Sequence, residues 1–430
     1  AALYADDPIL ESIAIRALVP SLDRPELAIA LLSRLYKSEL DPWTRELVAN
    51  GFRRYHGGVP TMVQAESRLA ETVIASLASR GSVDEPESGS EGPHSIWVWD
   101  APTGTATERA ASADTVRYLK AAHRAEDLLQ ISPDHEPYHE LYLASVLATA
   151  QSRIGWSRSI SRDAPSIASF ARTAPRKRLD GVLSWSLRHR CLPAAIAACQ
   201  IWAVPADADR NPASSMLGRA LRDPSERIRM EALMAIMRTE PIATGAPEFD
   251  VWKAAQRLAA TSGERRLLIV DPNPVRGSRL AGLCRQVGYA SESTPNPRTA
   301  LRWLSSSPDF EFVLIQEELG RPRWTELFQQ LRHDWLTAEL PTAILYDVDS
   351  PLRMPETVSL DHVIHFPGPR DEPSLRALLA WLASQREHPV TVTERGTWAA
   401  AARSWLSRNR STSLIDPDAP PLQSRQTAAR

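Results

Sequence analysis

The pattern of apolar and polar positions divides the chain into a long helical part and a part in which strands and helices alternate. Residues 1–80 show short amphipathic helices, one of which has Leu27, Leu31 and Leu35 on one face. Helical periods continue over 107–260, and from residue 265 short apolar runs alternate with them. The predicted class is therefore a multidomain protein, in which an N-terminal all-α helical-repeat region precedes an α/β domain.

The remaining boundaries follow changes of composition. Residues 81–106 are rich in Ser, Gly and acidic residues at their start and predict a linker, in which the segment SIWVWD can form a short strand. The α/β domain is predicted over 265–388. A C-terminal helix over 391–410 and a disordered tail over 411–430 complete the prediction.

Two segments of the helical part carry repeat-like patterns. Residues 107–155 predict a helix, a Ser-Pro-Asp turn and a second helix, which is similar to half of a tetratricopeptide pattern. The later segment MLGRALRDPSERIRMEALMAIMRTEP resembles a bacterial HEAT repeat, in which Asp223 and Arg229 take the positions that tie neighbouring repeats together. Such hairpins stack into a solenoid with an extended binding surface, and a helical bundle without repeats is the alternative.

The C-terminal pattern predicts five buried strands separated by helices. The strand segments are LLIV at 267–270, then ASEST, FEFVLIQ, PTAILYD and HVIHFP. This order resembles the receiver domain of two-component response regulators, over 265–388. The resemblance implies a flavodoxin-like order of parallel strands.

The resemblance also implies a site, because receivers gather two acids, a phosphate-accepting Asp, a Ser or Thr and a Lys around Mg²⁺. Here only Asp271 retains its expected type, while Pro272, Gln316, Tyr346 and Phe366 take the other places. The fold is therefore expected to remain without phosphorylation chemistry or a cofactor, and Asp271 is expected to cap a turn. A working response regulator that uses an unusual acceptor, Glu317 or Glu318, is the alternative.

A second motif points to a metal. HEPYH, which contains His135, Glu136 and His139, matches the HExxH pattern of zinc hydrolases. Pro137 is best placed in the first turn of a helix, which puts His135 before the helix and off its face. A zinc-dependent hydrolase is thus the third function considered, and no metal is expected.

Composition narrows the class of protein further. The net charge of −2 means that basic residues are not in excess, which argues against a nucleic-acid-binding protein. No apolar run is long enough to span a membrane. The chain has three cysteines, Cys191, Cys199 and Cys284. Their spacing argues against a zinc site, and their odd number argues against a disulfide framework. The expected compartment is the cytoplasm, although the chain begins without Met and a signal segment can have been removed.

The last helix of the α/β domain offers a candidate contact surface. It has four leucines, at 375, 378, 379 and 382, that are expected to cover the sheet, whereas Ala377, Ala380, Trp381 and Ser384 face outward with almost no charge. We expect residues 397–408 to pack on this outward face or to share it with a partner, including a second copy of the chain. Together these features predict a non-enzymatic interaction scaffold or signalling adaptor whose protein partner the sequence does not identify.

Overall fold

The computed structural model describes residues 2–4, 7–37, 40–78, 94–100, 105–202, 216–239, 247–347, 363–386 and 388–410. They belong to two compact units, Ala1–Ile242 and Ala243–Arg430. Most of the predicted linker, at 81–93 and 101–104, and the predicted tail at 411–430 lie outside the described residues. Within the described part of the chain, no helix combines the length and apolar character needed to cross a membrane.

Among its described residues, the first unit is helical apart from one hairpin. Its helices are α1 (Pro8–Leu18), α2 (Pro25–Leu31), α3 (Pro42–His56), α4 (Met62–Ala78), α5 (Ala113–Ile131), α6 (Glu136–Ile154), α7 (Ile160–Asp163), α8 (Pro165–Thr173), α9 (Arg176–Arg188), α10 (Leu192–Trp202), α11 (Met216–Ala220) and α12 (Glu226–Arg238). The strands β1 (His94–Asp100) and β2 (Thr105–Ala111) pair antiparallel. The sequence predicted only the first of these strands, because TATERAA shows no apolar alternation.

Helices of the first unit pack mainly on helices that are near them in the chain. The predicted hairpin around the Ser-Pro-Asp turn is present as α5 and α6, which pack on each other. Helix α6 also packs on α9 and α10, and α10, buried along its whole length, packs on α12. This arrangement is consistent with stacked hairpins.

A buried ionic cluster holds the start of this unit together. The Arg34 side chain is 1% exposed and pairs with Asp127, which is 0% exposed, and with Glu11, whose Oε1 lies 2.8 Å from Arg34 Nε. The Tyr4 hydroxyl donates to Asp127 Oδ2 at 3.0 Å, and its ring stacks on His123 with 4.1 Å between centroids. Because buried charges need such partners, the cluster fixes α1, α5 and the turn at Arg34 against one another.

The second unit contains a parallel sheet with helices on both faces. Its elements in chain order are α13 (Pro247–Ala259), β3 (Arg266–Val270), α14 (Pro274–Gln286), β4 (Ala290–Thr294), α15 (Pro297–Ser306), β5 (Phe310–Gln316), α16 (Trp324–His333), β6 (Thr342–Tyr346), β7 (Val363–Pro367), α17 (Glu372–Ser384) and α18 (Val392–Arg410). The order across the sheet is β4-β3-β5-β6-β7, and all neighbouring strands are parallel. The five predicted strands and their α/β arrangement are confirmed.

The apolar runs of the strands are buried because helices cover both faces of the sheet. Helices α14 and α17 cover one face, where Leu267, Leu314 and the four leucines of α17 form a core. Helices α15 and α16 cover the other, where Leu268, Val313 and Phe328 belong to a second core. Such strands read as continuous apolar runs, which is why the sequence located them.

Two helices outside the βα pattern complete the second unit, and both differ from expectation. Helix α13 was predicted within the helical region ending at 260, but it belongs to the second unit and packs on α18. The Trp252 and Trp405 rings meet there, with 5.5 Å between centroids. The sequence predicted that residues 397–408 pack on the outward face of α17 or share it with a partner, whereas in the structure this helix packs mainly on α13 and buries Trp405 there. Sharing of the α17 face with a partner stays a prediction.

A second buried ionic cluster ties α18 to the sheet. Glu311 in β5 accepts from Arg395 Nη2 at 2.8 Å, from Arg265 Nε at 3.0 Å, and lies 3.5 Å from Arg386 Nη1. The Arg395 side chain is 0% exposed. Helix α18 is thus an integral part of this unit.

Candidate functional site

The positions that correspond to a receiver site meet at the carboxyl edge of the sheet. The parallel register pairs Val270 with Ile315, Gln316 with Leu345, and Leu345 with Phe366. Asp271 follows β3 directly and so lies beside Gln316. The sequence positions predicted as site remnants are therefore brought together at one edge, because carboxyl ends of parallel strands align there.

The Asp271 carboxylate is 2% exposed and already bound on both oxygens. Arg276 Nε donates to Oδ2 at 2.8 Å, and Arg276 Nη2 donates to Oδ1 at 3.0 Å. The backbone N–H of Asn273 also donates to Oδ1, at 2.8 Å. This last bond is the turn cap that the sequence predicted, whereas the bidentate arginine is a feature that it did not predict.

Arg276 also links a second acid to the site. Its Nη1 and Nη2 both lie 3.3 Å from Glu318 Oε2, and the Glu318 side chain is half exposed. Hydrogen bonding to Asp271 raises the pKa of the Arg276 guanidinium, so the positive charge is permanent. The carboxyl edge therefore holds a fixed guanidinium between two carboxylates.

Local sequence explains why Arg276 reaches Asp271. Asn273 caps α14 by accepting from the N–H groups of Val275 and Arg276, and Pro274 occupies the first turn. Gly277 permits close packing, because a Cβ there would lie 2.3 Å from Ser293 Oγ and 3.4 Å from Asp271 Cβ. An Arg in the first turn after an Asp-Pro-Asn-Pro segment is the signal that could have revealed the pair.

The other residues that the receiver resemblance singled out are Pro272, Gln316, Tyr346 and Phe366, and they differ in burial and direction. Gln316 is 4% exposed at the end of β5, and Phe366 packs on the core under α14 and α17. In β6, Leu345 is the residue that pairs with Gln316 and Phe366 on the neighbouring strands. Tyr346 is the next residue and the last of the strand. Alternation along the strand turns Tyr346 to the opposite face, and Pro272 is exposed without a side-chain oxygen.

The alternative acceptors differ in their surroundings. Glu317 is half-buried, its Oε2 atom has no hydrogen-bond partner among the described residues, and burial followed by the charge of Glu318 raises its pKa. Glu318 instead pairs with Arg276. The two acids therefore differ in that Glu317 has a carboxylate oxygen without a partner among the described residues, whereas Glu318 is already paired.

The HEPYH segment forms the start of α6, with Pro137 in the first turn of the helix and His135 just before it. His135 precedes the helix, and its ring contacts the Tyr138 ring at a tilt, with 4.1 Å between centroids, while His139 Nε2 lies 2.6 Å from the carbonyl oxygen of Pro133. Glu136 accepts two bonds from Arg178, at 2.7 and 2.8 Å, which lower its pKa. The glutamate is thus an ion-pair partner, and nowhere in the described ranges do three His, Cys, Asp or Glu residues cluster as metal ligands would.

The repeat-like turn before α12 is held by both of its predicted residues. Asp223 Oδ1 accepts from the N–H of Ser225 at 2.9 Å, and Arg229 Nη1 donates to the carbonyl of Asp223 at 2.8 Å. Burial raises the pKa of Asp223, and the positive charges of Arg190 and Arg229 oppose that shift. Arg190 lies between α9 and α10, so its charge acts on this turn from the preceding hairpin.

The predicted outward face of α17 is largely open. Ala377, Ala380 and Ser384 are exposed, and Trp381 is half-buried because its ring also packs on the core of the sheet. Its use as a contact surface stays a prediction.

Comparisons with known proteins identified no relative of this chain. The chain matches no protein-family model, no curated protein and no solved structure.

Proposed function

We propose that this protein is a non-enzymatic interaction protein of the signalling-adaptor type. In this proposal the helical unit is a repeat region that holds a protein partner, and the α/β domain is a degenerate receiver that docks without being phosphorylated. The pairing of Arg276 with both oxygens of Asp271 is the observation that carries the proposal.

The chemistry of phosphoryl transfer supports this interpretation. Mg²⁺ is bound through carboxylate oxygens and keeps several waters, and it neutralises charge on the transferred group. Here a guanidinium already neutralises Asp271, and Pro272 supplies no second carboxylate. An amide such as that of Gln316 does not form an acyl phosphate, so neither the second acid nor the acceptor stands at its expected place.

The surface of the helical unit supports a binding role. Ile9 and Ile13 of α1 are 74% and 56% exposed, and the Trp43 ring of α3 is also exposed, with the Arg16 guanidinium 4.4 Å from its centroid. Large exposed apolar side chains that lie near one another are common where proteins bind proteins.

The phosphorylation part of the proposal is tested with acetyl phosphate and Mg²⁺, followed by intact-mass measurement of the full chain. We expect no added phosphoryl group. An adduct that disappears in Glu317→Gln and persists in Glu318→Gln would instead identify a working response regulator, the second candidate, which the unpartnered Oε2 of Glu317 favours.

The docking part is tested by oligomeric state and by captured partners. Ala380→Glu places a charge on the open face of α17, and Ala400→Glu is the matched control on an exposed position of α18. We expect the first variant to lose an association that the second retains. Equal behaviour of both variants and the parent chain would remove this face from the proposal.

The cytoplasm is the compartment that we propose. Cys191, Cys199 and Cys284 are all free and buried, and burial raises the pKa of Cys191 and of Cys284 to about 12. Free unreactive thiols agree with a reducing compartment. Fractionation of the source cells tests the location.

A further inference from the structure

A groove on the second unit brings together three arginines whose side chains have no partner among the described residues. Its volume is about 600 Å³, and Arg298, Arg321 and Arg323 line it together with Glu326 and Gln330. Arg298 lies in the first turn of α15, and the other two arginines lie in the segment between β5 and α16. The residues that line the groove thus come after β4 and after β5, the two strands that lie on either side of β3 in the sheet.

The three guanidinium groups are chemically available. All three residues are exposed, and their side chains form no hydrogen bond, ion pair or ring contact with any residue in the described ranges. Most other arginines of this unit are engaged, as Arg265, Arg276 and Arg395 show. Like charges that share one groove repel each other, and an anion removes that repulsion.

The surrounding backbone adds to the positive potential. Helix α15 directs its N-terminal end toward the groove, so its dipole favours an anion there. The N–H of Arg298 is not available to a ligand, because it donates to the Asn296 side chain at 2.9 Å. Recognition would therefore come mainly from the three guanidinium groups, which match phosphate oxygens in a bidentate manner.

We propose that this groove binds a phosphate ester of a small hydroxylated molecule, such as a sugar phosphate or a nucleotide. A volume of about 600 Å³ exceeds what inorganic phosphate fills and lies within the range of small-molecule sites. Glu326 would repel a second phosphate but accepts hydrogen bonds from hydroxyl groups, and Gln330 can donate or accept. Ligands in open parallel α/β sheets commonly bind outside the carboxyl ends of the strands. The proposal is independent of the adaptor role.

The test is calorimetric titration of the full chain with ribose 5-phosphate, AMP, adenosine and inorganic phosphate. We expect saturable binding of at least one phosphate ester, weaker binding of inorganic phosphate and none of adenosine. Each of Arg298→Ala, Arg321→Ala and Arg323→Ala should weaken the ester about tenfold, the effect of losing one charge-assisted hydrogen bond.

Arg302→Ala is the matched control, because Arg302 is exposed on the same helix one turn further on and does not line the groove. It should leave the affinity unchanged. The proposal is overturned if no ester binds, if adenosine binds as well as AMP, or if Arg302→Ala weakens binding as much as the groove variants. Binding of polyglutamate without binding of any ester would assign the groove to an acidic protein and would also overturn it.

Discussion

The buried carboxylate of Glu311 should be essential for the stability of the second unit. Glu311→Gln keeps the shape of the side chain but leaves Arg395, which is 0% exposed, without a negative partner. Arg386, 13% exposed, would lose the same partner. Removing one partner of a buried ion pair commonly costs about 3–5 kcal/mol, because the remaining charge stays desolvated.

A variant within the same cluster provides the control. Arg265 also binds Glu311, but its side chain is 47% exposed, so Arg265→Ala should cost less than about 1 kcal/mol. A double variant, Glu311→Leu with Arg395→Met, should recover part of the lost stability, because it also removes the fully buried Arg395 charge and leaves only the less buried Arg386 and Arg265 without that carboxylate.

Thermal unfolding and hydrogen exchange measure these effects. A unit of this size loses about 2–4 °C of Tm per kcal/mol, so Glu311→Gln should lower its transition by roughly 10 °C. Amide protection should fall first in α18, which Arg395 anchors to the sheet. If Glu311→Gln destabilises the unit no more than Arg265→Ala does, or if α18 keeps its protection, Glu311 does not anchor this helix.

Three further predictions concern pH, aromatic packing and metal. Burial and the charge of Arg34 lower the pKa of His123 to about 4, so as the pH falls His123 is protonated in the unfolded chain before it is protonated in the folded chain. The free energy of unfolding should therefore fall between about pH 6.5 and pH 4, by at most about 3 kcal/mol from this group. In His123→Phe the urea midpoint of unfolding should depend less on pH over that range. Trp405→Ala should destabilise the second unit by about 3–5 kcal/mol, whereas the half-buried Trp398→Ala should cost less; equal Tm values would contradict the packing on α13. Elemental analysis should find no stoichiometric zinc, and one equivalent that is lost in His139→Ala would restore the hydrolase hypothesis.

The strands and most helix starts of the second unit could be predicted because their signals are local. Buried parallel strands are continuous apolar runs, and Asn273, Asn296 and Asp371 each precede a proline-containing first turn that they cap. The residues that follow each strand, such as Asp271 and Pro272, could also be read from the sequence, because they depend only on where each strand ends.

What could not be predicted depends on contacts between distant parts of the chain. The packing of α13 on α18 joins segments more than a hundred residues apart, and the apolar stripe of α18 fits either α13 or α17 when judged by spacing alone. The pairing of Glu311 with Arg395 is also long-range. Strand β2 was missed for another reason, because its side chains carry no apolar period.

We propose that Arg276 takes the place of a metal ion at the carboxyl edge, and thermal unfolding of the full chain at a series of Mg²⁺ concentrations measures whether it does. Occupancy of a site at about 100 times its Kd would add about 2.7 kcal/mol to the stability of the folded unit. We expect Mg²⁺ to leave the Tm of the second unit unchanged relative to a control of equal ionic strength. A saturable rise in that Tm, abolished in Asp271→Asn, would contradict it.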